Sequence, residues 1–96
     1  MAGGDVLRID GEMTIYRALE LKELLFPAAR KVDTSVLDLS GVTEIDTSGV
    51  QLLLLAQRAA AAAGAEFEIR APSAATREVL GLLGLGQLCA DAGVVQ

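Results

Sequence analysis

A run of Leu and Ala from Ser48 to Ala63, roughly four helical turns long, stands between two short β-patterned segments, "VLDL" at 36–39 and "EFEIRA" at 66–71. A strand, a helix and a second strand in this order can close only as a parallel pair with a right-handed crossover. Gly64 follows the run at the place where a left-handed residue ends a helix. The β-branched start of "VLDL" and its alternation suit a central strand.

The flanking segments extend the pattern. "DVLRID" at 5–10 alternates apolar and polar residues, as a half-buried strand does, and "GEM" is expected to turn the chain. Thr14 can cap a helix whose apolar positions Ala18, Leu21, Leu25, Ala28 and Val32 step by three and four, with Arg17, Glu20, Glu23, Arg30 and Lys31 elsewhere around it. Pro27 lacks an N–H, and its ring opposes the carbonyl of Glu23, so a kink or break is predicted near Phe26. "DTS" at 33–35 closes this helix, and "SGVTEID" at 40–46 reads as a loop. Pro72 and Ser73 open a last helix with Val79, Leu80 and Leu83 on its apolar face, weakened by Gly81, Gly84 and Gly86. The alternation of strands and helices predicts an α/β domain, and 96 residues suffice for a single one spanning 1–96.

Composition narrows the function. Apolar residues make up 52% of the chain, but its aromatics are only Tyr16, Phe26 and Phe67, so the core is aliphatic. Eight basic against thirteen acidic residues give a net charge of -5, which repels nucleic acid and anionic bilayers. The absence of His removes the commonest general base and metal ligand, and no metal or cofactor site is expected. Cys89 stands alone and reads as a small buried hydrophobe. "LLLLA" falls far short of the ~20 residues of a membrane span, and the N-terminus resembles no export signal, so a soluble cytoplasmic protein is expected.

The stretch "EIDTSGV" at 44–50 carries the functional signal. Ser48-Gly49-Val50-Gln51 has the S-x-x-Q spacing of a capping box, which accounts for Ser48 and Gln51 but leaves Asp46, Thr47 and Gly49 without a reason. The Asp-Thr-Gly turn of aspartic proteases is only superficially similar, because Ser48 replaces the glycine and a helix follows. A hydroxyl nucleophile needs a base, and without His only Lys22 and Lys31 are candidates, so no catalytic residue is assigned and no enzyme is expected. What the junction offers is a hydroxyl beside free amides at the positive end of a helix, where a phosphate carried by Thr47 is stabilised. Such a group adds about -1.5 to -2 charge and can switch off a docked partner.

With "IDGEMT", "VLDLSGVTEIDTSGVQLLLL" and "TREVLGLLGL", the chain from about Val6 to Leu88 resembles a STAS domain, the module of bacterial anti-sigma-factor antagonists and of sulfate-transporter tails. The resemblance implies a small mixed, largely parallel sheet of about four strands with about four helices mainly on one side. It also implies a non-catalytic binding module switched by phosphorylation, whose partner is a histidine-kinase-like serine/threonine kinase or an anti-sigma factor. Thr47, the hydroxyl after the Asp, becomes the acceptor and Ser48 the second choice. The partner face combines Ser40, Gly41, Asp46, Thr47, Ser48, Gly49, Val50 and Gln51. Thr14 stands where antagonists often carry an acid. Only "MAGG" precedes "VLRID", where the family usually has another strand, which leaves a bare sheet edge open to homodimer pairing. The alternative role is a constitutive STAS-like subunit of a membrane-associated lipid-transport ATPase complex, without phosphorylation.

Overall fold

A computed structural model describes residues 6–31 and 35–89. Three strands, β1 (Val6–Met13), β2 (Ser35–Ile45) and β3 (Phe67–Arg70), form one sheet in the order β1-β2-β3. Both pairings are parallel, as the crossover argument requires. Three α-helices connect and follow the strands: α1 (Ala18–Ala29), α2 (Thr47–Ala62) and α3 (Ala74–Leu82). Single 3-10 turns lie at Ile15–Arg17 and Gly86–Leu88. The α/β class and the parallel sheet agree with the expectation, with three strands and three α-helices among the described residues where about four of each were expected. Val32 and the first two residues of "DTS" lie outside the described residues, as does the segment before Val6.

The alternation along the strands sets the layers. Ile9, Leu37, Leu39 and Ile69 are buried on one face, whereas Arg8, Asp10, Ser40 and Arg70 are exposed on the other. The helices therefore lie mainly against the first face. α1 and α2 pack on one another through Leu21, Leu25 and Ala29 on one side and Leu53, Ala56 and Ala60 on the other, and α3 packs against β2 with Leu80. Each fully buried Leu contributes about 1.5–3 kcal/mol by leaving water, so an aliphatic core suffices. Cys89 is buried in it, as its isolation suggested.

Three local expectations are corrected. "GEM" does not turn the chain; it continues β1, because register shifts between Arg8 and Asp10 and between Gly11 and Glu12, with Gly11 at φ 85°, bend the strand without ending it. "SGVTEI" is likewise strand, paired with the end of β1 through Gly41, Val42, Glu44 and Ile45. Gly41 marks a close approach there: a Cβ would run into the Asp10 carboxylate and come within 3.0 Å of Arg8 Nη2. Finally, α1 passes through Pro27 unbroken. Only Ala28 and Ala29 follow the proline within the helix, so it removes a single bond near an end that is already closing.

The ends of α2 and α3 follow the sequence pattern. Gly64 adopts φ 71° after the last turn of α2. Ser73 caps α3, its side chain accepting from the Thr76 amide at 3.1 Å.

Two carboxylates, the exposed Glu20 and the half-buried Asp38, tie the fold to pH. Glu20 is held below its usual value by hydrogen bonds from the Arg17 guanidinium and by that cation's charge. Asp38 is lowered first by the backbone amide of Ser40 and then by its hydroxyl. A carboxyl group depressed in the folded state adds stability above its unfolded value and loses it as pH falls through the folded one. The thermal midpoint of the Glu20→Gln, Asp38→Asn double variant is therefore expected to lie below that of the wild type at pH 7. The two midpoints should converge below pH 3.8, the ordinary value of the lower group, in calorimetric scans across that range.

Candidate functional site

Met13 and Ile45 are register partners, so the C-terminal ends of β1 and β2 lie together, and the chain leaves one for α1 and the other for α2. Asp46 joins these exits. Its backbone amide donates to the Met13 carbonyl at 3.2 Å, and its own carbonyl accepts from Val50 at 3.1 Å, the first bond of the helix. Its carboxylate is shared: Oδ1 accepts from the Gly49 amide and Oδ2 from the Ile15 amide, each at 3.1 Å.

Asp46 is thus the N-cap of α2, and the expectation that Ser48 makes the cap is corrected. Asp is as good a cap as Ser, but the S-x-x-Q spacing that begins two residues further on carries the reciprocal side chain of a capping box and masked it. The helix therefore starts at Thr47, with Ser48 half-buried in its first turn.

Gly49 now has its reason. A Cβ there would collide with the Met13 carbonyl oxygen and lie 2.9 Å from Cγ1 of Ile45. The first turn of α2 rests directly on the backbone of β1, and only glycine permits that approach.

Around this junction the polar groups are anchored. The Thr14 hydroxyl, buried, hydrogen-bonds the Glu12 carboxylate. Arg17 donates from Nη1 to the carbonyls of Asp10 and Glu12, both at 2.8 Å, and grips Glu20 with Nε and Nη2. Ile15 and Arg17 were not singled out in the sequence as part of this site; Thr14 was, as standing in place of an acid, but its side chain makes no helix-cap bond.

The structure brings Asp46, Thr47, Ser48 and Gln51 together at the start of α2, with Thr47 and Gln51 exposed. Gly49 and Val50 are there too but buried. Ser40 and Gly41 lie upstream in β2, Gly41 roughly 17 Å of extended chain before Asp46. From Thr47 an exposed stripe at helical spacing runs through Gln51, Leu54, Leu55 and Arg58, and the last four line a shallow groove. The backbone amides of Thr47 and Ser48 have no hydrogen-bond acceptor among the described residues. Nor do the described residues hold a cluster of His, Cys, Asp and Glu able to bind a metal.

A parallel sheet with helices mainly on one side, and a capped helix presenting a hydroxyl at its start, define a small aliphatic-cored domain of the STAS type. The chain belongs to the STAS family described as "Mlab, STAS domain", which it matches over residues 2–95. Its fold is similar to that of the anti-sigma factor antagonist SpoIIAA in its unphosphorylated form, at 22% identity and a TM-score of 0.69 over 95% of this chain and 90% of that one. It is also similar to the STAS domain of a SulP transporter from Vibrio cholerae, at 17% identity and a TM-score of 0.63 over 91% of this chain and 68% of that one. No curated protein matches the chain by sequence.

Two substitutions separate the roles of the junction residues. Asp46→Ala is expected to cost about 1–2 kcal/mol through the lost cap, and Ser48→Ala less than about 0.5 kcal/mol, by urea denaturation. Gly49→Ala should cost roughly 1–3 kcal/mol, although alanine is the better helix former, because α2 must lift off Met13.

Proposed function

We propose that the chain is a non-catalytic, protein-binding regulatory module switched by phosphorylation of Thr47 by a partner serine/threonine kinase of histidine-kinase-like type. Its partners on this reading are that kinase or an anti-sigma factor, in a bacterial cytoplasm. The observation that carries it is the division of labour at α2: Asp46 makes the cap, so the exposed Thr47 hydroxyl is uncommitted at the head of the stripe Gln51, Leu54, Leu55 and Arg58. The likeness to an anti-sigma factor antagonist supports the same reading.

Chemistry makes Thr47 a switch. A phosphate there faces the positive end of α2 and two free amides, which favour the modified state. It also places about two negative charges beside the apolar Leu54 and Leu55 surface, which a docked partner would have to desolvate. The described residues contain no helix long and apolar enough to cross a membrane, so docking need not occur within a bilayer.

Two observations favour a second reading. The matching family is described by the name Mlab, and Thr14, in place of an acid, is tied to Glu12 rather than presented beside Thr47. On that reading the chain is a constitutive subunit of a membrane-associated, lipid-transport ATPase complex, and Thr47 contacts the ATPase unmodified.

Incubation with lysate of the source cells and ATP is expected to add one phosphate, mapped to Thr47 by mass spectrometry and absent from Thr47→Ala. Thr47→Glu should retain less than a tenth of the partner that the wild type retains in pull-downs. Equal retention would overturn the switch in favour of the constitutive subunit, and phosphate on Thr47→Ala would move the acceptor to Ser48.

A further inference from the structure

The cations of this chain are put to two different uses. Arg8, Arg17 and Arg70 each bond a carboxylate of the chain itself, and Arg77 donates to the Pro72 carbonyl. Lys22, Arg30 and Arg58 are exposed and have neither an ion pair nor a side-chain hydrogen bond among the described residues. Residues 15–31 and 47–62, which comprise α1, α2 and the residues flanking α1, hold five cations against two carboxylates, Glu20 and Glu23. The remainder of the chain holds three cations against eleven carboxylates. These two helices therefore carry a balance opposite in sign to the net charge of -5. The Debye length at physiological salt is about 8 Å, against a smallest extent of 22 Å for the molecule, so a partner lying on the helices responds to their charge rather than to the net one.

Arg58 is the only charged residue of α2. It stands outside the last turn, so it does not serve the carbonyl end of the helix. The Asp46 carboxylate is about 18 Å away along the axis and does not neutralise it. In the groove it lines with Gln51, Leu54 and Leu55, Arg58 is the sole charge, beside two leucines that are 37% and 44% exposed. On α1 a second groove is lined by Leu19, Phe26 and Pro27 with Lys22 and Arg30, against the single acid Glu23.

We infer that Arg58 is the charge-recognising residue of the α2 groove, receiving a carboxylate from a partner protein whose apolar side chains rest on Leu54 and Leu55. The inference rests on α2 being the docking helix, as proposed above, and names the chemistry of the partner: an acidic segment with interspersed apolar residues. A guanidinium presents paired donors that match a carboxylate, and such a contact fixes the orientation of what lies on the neighbouring apolar surface. A concave groove with an apolar centre favours a protein over an anionic bilayer, whose headgroups bring charge without side chains to fill it. A second copy is a poorer occupant, because Asp10 and Glu68 on its open sheet face already hold Arg8 and Arg70.

The experiment places the photocrosslinker p-benzoylphenylalanine at position 54 or 55, or at the exposed Glu78 of α3 as a control, in the full chain within its own cells, and sequences the captured peptide by mass spectrometry. Positions 54 and 55 are expected to capture one heterologous protein, through a peptide with Asp or Glu close to the crosslink, and position 78 none of it. With both proteins purified, Arg58→Glu should weaken binding about tenfold or more while Arg58→Lys retains most of it, and changing the partner's acid to Lys should restore binding to Arg58→Glu. Arg58 is exposed and unbonded, so both variants should keep the circular dichroism and thermal midpoint of the wild type. Capture of a second copy, of lipid, of nucleic acid or of nothing from both positions overturns the inference. So does a captured peptide without a carboxylate, or an Arg58→Glu variant that binds as the wild type does. Thr47→Glu tests the parent reading separately. If it binds the partner undiminished while Arg58→Glu does not, the phosphorylation switch fails and the acidic partner stands; if only Thr47→Glu loses the partner, the reverse holds.

Discussion

Asp46 ties together two regions far apart in the chain, the start of α2 and the turn that follows β1. One of its carboxylate oxygens accepts from the helix that Asp46 begins, the other from Ile15, thirty-one residues earlier, while the Asp46 amide closes on Met13. The parallel sheet makes this geometry available, because it delivers the ends of β1 and β2 to the same side. Gly49 completes it by letting α2 settle on the Met13 carbonyl. Hydrogen bonds to a charged acceptor at such a junction contribute more than the solvent-exposed surface ion pairs Arg8–Asp10 and Glu68–Arg70.

What the sequence made legible was whatever depends on periodicity. The Leu/Ala run became α2 within a residue at each end, "EFEIRA" became β3, and Ser73 capped α3 as its place after Pro72 suggested. These elements are specified locally, by spacing and by the residues that end them. Central placement of "VLDL" was also legible, since its crossover partners lie on both sides.

What remained hidden was specified by neighbours distant in sequence. "GEM" and "SGVTEI" carry glycines that read as turns, yet Gly11 and Gly41 serve a bulged, paired strand, and only the pairing of β1 with β2 shows why. The cap at α2 was misread because Ser48, with Gln51 as its reciprocal partner, and Asp46, without one, are both good cap residues two positions apart. Contacts with Ile15 and Met13 decide between them, and no local rule contains those contacts. Arg17, placed by the helical pattern on a solvent face, spends its guanidinium on carbonyls of β1.

Moving the cap from Ser48 to Asp46 changes what a phosphate on Thr47 can do. With Ser48 as cap, Thr47 would precede the helix, and a phosphate could compete for the amide that the serine occupies. With Asp46 as cap, both carboxylate oxygens are already bonded to amides, so the carboxylate stays in place and its charge stays beside Thr47. An added phosphate meets the free amides of Thr47 and Ser48 on one side and a fixed negative charge on the other. The fold has no slack with which to answer, because the same carboxylate holds α2 and the turn at Ile15. On the proposed reading, the new charge would be expressed outward, along the stripe led by Thr47, and would act on a partner rather than on the domain itself.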